Sequence, residues 1–244
     1  MNPTEQYIHS RDEQVKMNTD DRDLRVNTDR FTHELVRTNY AKNFTWMGVP
    51  IIQWPSDLMV MQELIWKIKP DYIIETGVAF GGMTVFYANV LETIGKGTVI
   101  GIDIEIREHN HNNLMSHPLN KRIRLLEGPS TENKTWSILA EELAYPKPKT
   151  VLVSLDSNHS HAHVLQELWL YSPLVSVGSY VVVFDTAIEF VGQPDADRPW
   201  GPGNNPWGAV QEFMQGNEEF VVDREVEQRA LITSAPGGWL RRIK

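Results

Sequence analysis

The stretch SLDSNHSHAH, residues 154–163, sets Asp156 ahead of three histidines at alternate positions, His159, His161 and His163. Two chemistries compete for this pattern. Three imidazoles on one face of an extended segment would bind zinc, whereas one histidine beside an aspartate would serve as a general base. The zinc reading fails for lack of ligands. No histidine follows His163, the chain has no cysteine, and HVLQELWLYSPLV predicts a helix on which only His159 and His163 would align. An iron site of two histidines and a carboxylate meets the same shortage. His159 is therefore the candidate base, since an imidazole titrates near neutrality. His161 and His163 are read as solvated or capping side chains.

Asp185 closes SYVVVFD as Asp156 closes KTVLVSLD. Two carboxylates at adjacent strand ends suit a hard divalent cation such as Mg²⁺. Upstream, IIETGVAFGGMT carries Glu75, Thr76, Gly77, Gly81 and Gly82 through a strand-to-helix turn. Glycines there let backbone approach a ligand lying across the strand ends. Ala79 stands where a dinucleotide fingerprint needs its second glycine, and the Lys-Ser/Thr of a P-loop is missing, so NAD and ATP are excluded. An acid before the first glycine suits a ligand with a cationic amino group. Asp103, ending GTVIGID, is placed to hydrogen-bond a ribose diol, and Gly128 and Ser130 in LLEGPS to lie along an adenine edge.

The segments that must position these residues alternate in character. YIIE, GTVIGIDIE, RIRLLEG, KTVLVSLD and SYVVVFD read as strands, separated by helical stretches such as GGMTVFYANVLETIG and TENKTWSILAEELAY, with HNHNNLMSHP a short helix or loop. That alternation predicts an α/β fold with a parallel, doubly wound sheet covered on both faces. Ahead of the first strand, Leu58, Met61, Leu64, Ile65 and Ile68 recur at helical spacing behind a Ser56 N-cap, and Pro70 stops that helix. Residues 1–48 read as a polar extension with a short helix through Phe31, Leu35 and Val36; residues 49–244 read as one domain. Beyond Asp185 come a Gly/Pro/Asn-rich loop over 190–207, a candidate lid, then a helix in AVQEFMQG. EEFVVDRE and RALITSAPGGWLRRI read as a hairpin at the sheet edge. Trp54, Trp200 and Trp207 flank loops suited to an acceptor pocket, where aromatic faces match sugar rings.

Charge narrows the partners. The 23 Lys and Arg against 32 Asp and Glu give a net −9, which argues against nonspecific nucleic-acid or anionic-membrane binding. No apolar run approaches the roughly 20 residues that span a bilayer, and the charged start lacks the apolar core of a signal peptide. The expected location is cytoplasmic.

Four stretches together resemble the cephalosporin hydroxylase family: PIIQWPSDLMVMQELIWKIKPDYIIETGVAFGGMT, VIGIDIE, LDSNHSHAHVLQELWLYSPLVSVGSYVVVFDT, and GPGNNPWGAVQEF with the closing PGGWLRRI. Despite that name, its members are similar to S-adenosylmethionine-dependent O-methyltransferases of sugars and natural products, including rhamnosyl and macrolide-sugar methyltransferases. The resemblance implies a class I methyltransferase Rossmann-like sheet, mostly parallel with an antiparallel C-terminal strand. It implies that Glu75, Gly77 and Gly82 hold the methionine part of the cofactor, Asp103 the ribose and Ser130 the adenine region. Asp156 and Asp185 would hold Mg²⁺, and His159 would take the proton of an acceptor hydroxyl, in a small sugar-containing molecule. A homo-oligomer is also implied. One departure stands out: several members carry a metal-binding glutamate immediately before the second aspartate, and here that position is Phe184. The alternatives left open are an iron hydroxylase, as in the family's name, and a non-catalytic binding member of the fold.

Overall fold

The computed structural model describes residues 1–143, 149–192 and 197–244. Two helices lead, α1 (Pro3–Asp20) and α2 (Arg22–Arg37), followed by strands β1 (Phe44–Trp46) and β2 (Val49–Ile51). Then come α3 (Pro55–Ile68), β3 (Tyr72–Thr76), α4 (Gly82–Ile94), β4 (Thr98–Asp103), α5 (Glu108–Ser116), β5 (Ile123–Glu127) and α6 (Asn133–Leu143). The second half holds β6 (Val151–Leu155), α7 (His161–Tyr171), β7 (Tyr180–Val183), α8 (Ile188–Val191), α9 (Pro206–Gln215), β8 (Phe220–Val222), α10 (Arg224–Ala230) and β9 (Trp239–Arg242). The expected continuation of α6 through residues 144 and 145 lies outside the described residues, as do 193–196 of the expected lid. No helix among the described residues is long and apolar enough to cross a membrane.

The main sheet runs β5-β4-β3-β6-β7-β9-β8. Neighbours from β5 to β7 pair parallel, and β9 pairs antiparallel with both β7 and β8. This is the expected doubly wound α/β sheet with an antiparallel C-terminal strand. Each strand feeds two cores because successive side chains point to opposite faces. Ile73, Leu152 and Val182 join the core under α3 and α4, while Ile74, Val153 and Val181 join the one under α7 and α9. Burial on both faces explains why these strands read as continuous apolar runs.

The structure corrects several boundaries. Ser56 is not the N-cap of α3: Trp54 is, with Pro55 at the first helical position, where a missing N–H costs nothing. Ser56 Oγ instead donates to the Ile232 carbonyl at 2.6 Å. Lys69 adopts a left-handed conformation (φ 52°) and ends α3 just before Pro70. At the C-terminus β8 and β9 pair antiparallel at the sheet edge, as the expected hairpin, but α10 is inserted in the connection between them. Asp223 caps that helix, its carboxylate accepting from Val226 N, and REVEQRA contains good helix formers. At the N-terminus two helices stand where one short helix was expected, and Phe31 is exposed while Leu35 is buried. The division at 48/49 runs through the β1–β2 hairpin. Met47 and Gly48, both at positive φ, form its two-residue turn.

Candidate active site at the strand ends

The strand order reverses direction at β3: β4 lies on one side and β6 on the other. Such a switch point opens a crevice at the carboxyl ends of the strands. Here the ends of β3 and β6 almost touch. Asp156 N donates to the Thr76 carbonyl at 2.9 Å, and a Cβ at Gly77 would stand 2.1 Å from the Asp156 carbonyl oxygen. With φ at +88° as well, only glycine fits position 77. The start of α4 is as crowded, since a Cβ at Gly82 would meet the Pro50 carbonyl oxygen at 2.2 Å. That contact clamps the segment before α3 over the crevice.

Asp156 follows β6 directly and Asp185 lies two residues past the end of β7, so neighbouring parallel strands deliver both acids to one place. His159, in the loop before α7, completes the group. Its Nε2 lies 3.2 Å from Asp185 Oδ2, and donor atoms of Asp156, His159 and Asp185 all fall within 4.8 Å of one another. Burial, and then the repulsion of Asp185, holds the Asp156 carboxyl well above the usual carboxylate range. Two acids forced together in this way form a site for positive charge, so the residues present fit a divalent cation. Asp185 sits at φ +58°, an uncommon backbone for a residue with a side chain, of the kind found at functional sites. Trp200 sets its ring edge-on to His159 with centroids 5.0 Å apart, and the Arg198 guanidinium lies 5.1 Å over the Trp200 ring.

These groups face a cavity of about 610 Å³, within the range of small-molecule sites. Its walls include Gly77, Val78 and Gly82 on one side and Trp54, Arg198 and Trp200 on others. Sequence reasoning missed the wall built by Leu35, Tyr40 and Gln53. The available signal was the apolar pair Leu35-Val36 close to the end of α2.

The three histidines diverge. His159 turns to Asp185, His161 to Glu212 (2.9 Å) and His163 to Glu167 (3.3 Å). His159 precedes α7 and its cap Ser160, so the expected helical alignment of His159 with His163 does not form.

Other residues named from the sequence support the cleft from outside its walls. Glu75 is 1% exposed and accepts from Thr84 Oγ1 at 2.5 Å, and burial pushes its carboxyl up to about 8. Glu75, expected at the cofactor's amino group, lies beneath the glycine turn with its carboxyl turned to Thr84. Thr76 is buried with it, its hydroxyl oxygen without a hydrogen-bond partner. Gly81 caps α4 at φ +89°. Asp103 Oδ2 accepts from Val78 N (2.8 Å) and Ala79 N (3.1 Å), so the acid expected at the ribose also pins the glycine turn. Gly128, at φ +152°, lies against Thr135, and the Ser130 hydroxyl is taken up by Glu167. Trp207 stacks edge-on with Phe190 and does not reach the cavity wall. Glu189, four residues past Asp185, accepts from Gly203 N (2.8 Å) and Asn205 Nδ2 (2.5 Å). Those bonds fasten the far end of the 190–207 loop and hold the Glu189 carboxyl below its usual range.

Phe184 points the other way from its neighbour Asp185. It is 1% exposed and packs against Trp239, ring centroids 6.0 Å apart, in the core under α3 and α4. Phe184→Glu therefore cannot add a metal ligand without moving the strand. The expected result is a lost aromatic core contact, worth about 3–5 kcal/mol, and a drop in Tm of roughly 10 °C. Thermal melts, with Mg²⁺ titrated by calorimetry, check this: an unchanged Tm with tighter metal binding would contradict it.

Comparison with known proteins gives one family. The model described as rhamnosyl O-methyltransferase/CmcI matches residues 38–243. A rhamnosyl O-methyltransferase of Mycobacterium leprae is 33% identical over 218 residues, covering 86% of this chain and 88% of its own. Among solved structures, CmcI with Mg and SAM aligns at TM-score 0.56 and 18% identity, over 83% of this chain and 78% of that one. The MycE methyltransferase of the mycinamycin pathway, with Mg and SAH, aligns at TM-score 0.51 and 16% identity, over 87% of this chain and 54% of that one. At those identities the two structures speak for the fold.

Proposed function

The chain belongs to the rhamnosyl O-methyltransferase/CmcI family, and from that premise we propose that it methylates a hydroxyl of a sugar-containing small molecule. S-adenosylmethionine is the methyl donor and Mg²⁺ the assisting ion. The observation that carries the reading is the meeting of Asp156, His159 and Asp185 beside the Gly77 turn, at the floor of the cavity. The structurally similar CmcI and MycE are described with Mg and with SAM or SAH, which supports the same pair here. An iron hydroxylase gains nothing from the structure, because the cluster contains one histidine and two carboxylates.

Bound S-adenosylmethionine supplies a methyl group on a sulfonium, already activated for transfer. Bound Mg²⁺ would be held by Asp156 and Asp185, and it would fix the acceptor hydroxyl and lower its pKa. The chain does the rest. The Gly77–Gly82 backbone and Asp103 hold the donor, and the cavity walls orient the acceptor for in-line attack. His159, held by Asp185 at Nε2 and by the edge of the Trp200 ring, would take the acceptor's hydroxyl proton on its imidazole as the methyl group passes from sulfur to oxygen. Self-association and a cytoplasmic location belong to this reading; sedimentation of the full chain tests the first.

Calorimetry with S-adenosylmethionine and its demethylated product is the direct test. The native protein is expected to bind both and to ignore NAD and ATP. Asp103→Ala removes a charge-assisted hydrogen bond worth about 1.5–3 kcal/mol and frees the Val78 and Ala79 amides, so the dissociation constant should rise at least about tenfold. Absence of binding by the native protein at millimolar cofactor would overturn the methyltransferase reading.

A further inference from the structure

Beneath the loop that carries Asp156 and His159, four polar side chains meet, one of which, Ser157, also lines the cavity. Glu167, on α7, is 0% exposed on a helix face it shares with Val164, Leu168 and Tyr171. Its Oε1 accepts from Ser130 Oγ at 2.5 Å and from Ser157 Oγ at 2.7 Å. His163, one turn earlier, sets Nε2 3.2 Å from each hydroxyl and 3.3 Å from the same carboxylate oxygen. Tyr171, one turn later, donates to the Ser130 carbonyl at 2.6 Å. Glu167 Oε2 is buried with no partner among the described residues, so every bond seen to the carboxylate falls on one oxygen.

A carboxylate is buried at a heavy desolvation cost, and an aliphatic side chain would fill the same helix face without it. What Glu167 provides that leucine could not is a link between two loops. Ser130 lies in the loop after β5, and Ser157 directly follows Asp156 after β6. These strands are not neighbours; β4 and β3 lie between them. No sheet hydrogen bond can fix one loop against the other, whereas α7 crosses beneath both.

We propose that Glu167 and His163 form a positioning hub that sets the loop of Asp156 and His159 in register with the loop flanking the cofactor's adenine. The roles of the two loops rest on the proposed function; the juxtaposition of Ser130, Ser157, His163 and Glu167 does not. Each serine is one arm of the hub. Losing the Ser157 arm loosens the base, and losing the Ser130 arm loosens the cofactor side. Glu167 governs both.

The test is steady-state kinetics and cofactor-product calorimetry on Ser130→Ala, Ser157→Ala and Glu167→Gln, each assayed well below its own Tm. A hydrogen bond to a charged acceptor is worth about a tenfold effect or more. Ser157→Ala is expected to lower kcat about tenfold with little change in KM for S-adenosylmethionine, and Ser157→Thr to restore it. Ser130→Ala is expected to raise KM and the product's Kd about tenfold with little change in kcat. Glu167→Gln should do both. The hub is refuted if the three variants lower Tm but keep native kcat and KM, or if all three shift both parameters alike. If Glu167→Gln fails to fold, the split between the two serine variants still decides. Failure of the native protein to bind the cofactor product is a separate outcome that strikes the proposed function instead.

Discussion

His159→Ala is expected to lower methyl transfer by about 10²–10⁴-fold, the usual range for losing a general base, while cofactor affinity stays near its native value. The geometry sets both parts of this expectation. His159 Nε2 lies 3.2 Å from Asp185 Oδ2, and the Trp200 edge holds the ring from the side, so the imidazole is already oriented. It lines the same cavity as the Gly77 turn, and its removal leaves the Asp103 bonds that pin that turn untouched. His161→Ala should cost little, because its partner Glu212 is more than half exposed and a solvent-screened pair is worth about 1 kcal/mol at most. His163→Ala should fall between them, within about tenfold, since it weakens the hub without removing a reacting group. Single-turnover rates with saturating cofactor, set beside product-binding titrations, separate these cases. Equal losses from all three histidines would mean a shared histidine metal site, and the base would have to be sought elsewhere.

The divergence of these histidines shows where sequence pattern stops being informative. Strand identity and order of appearance were legible because β3, β4, β6 and β7 are buried on both faces and so read as unbroken apolar runs. The acids at strand ends followed from that, since Asp156 and Asp185 each stand immediately beyond such a run. The partners of individual side chains did not follow. His163 has Glu167 four residues on along its own helix, a pairing the sequence spacing allows, whereas the partner of His161, Glu212 on α9, comes from a distant part of the chain. Glu75 and Phe184 depend on which face of the sheet is cleft and which is core, a property of the assembled layers. At the N-terminus the short helix through Phe31, Leu35 and Val36 is the second half of α2, while the start signals of both helices were legible too: Asn2 and Glu5 form a capping box around Pro3, and Asp21 caps α2. α1 carries little hydrophobic periodicity and buries no residue, whereas α2 has an apolar face that ends at the buried Leu35.

The metal prediction turns on Phe184. With that side chain committed to Trp239 and Glu189 to Gly203 and Asn205, the described residues offer a cation two carboxylates, Asp156 and Asp185, and no third among them. Mg²⁺ tolerates such a site because it keeps several waters, but each missing anionic ligand weakens binding to the free enzyme. Hydroxyls of a bound acceptor can replace waters, so metal affinity should tighten when acceptor is present. Asp156→Asn removes one of two charges and should abolish stimulation by Mg²⁺, whatever its effect on the metal-free rate. Because a bound cation is worth several kcal/mol of charge stabilisation, excess chelator should lower the native rate by about 10²-fold or more. The readouts are activity against Mg²⁺ concentration with a chelator control, and Mg²⁺ calorimetry with and without acceptor. Full activity in excess chelator would discard the two-aspartate site. The 3.2 Å contact of Asp185 with His159 would then be its whole contribution, holding the imidazole for proton transfer without a metal.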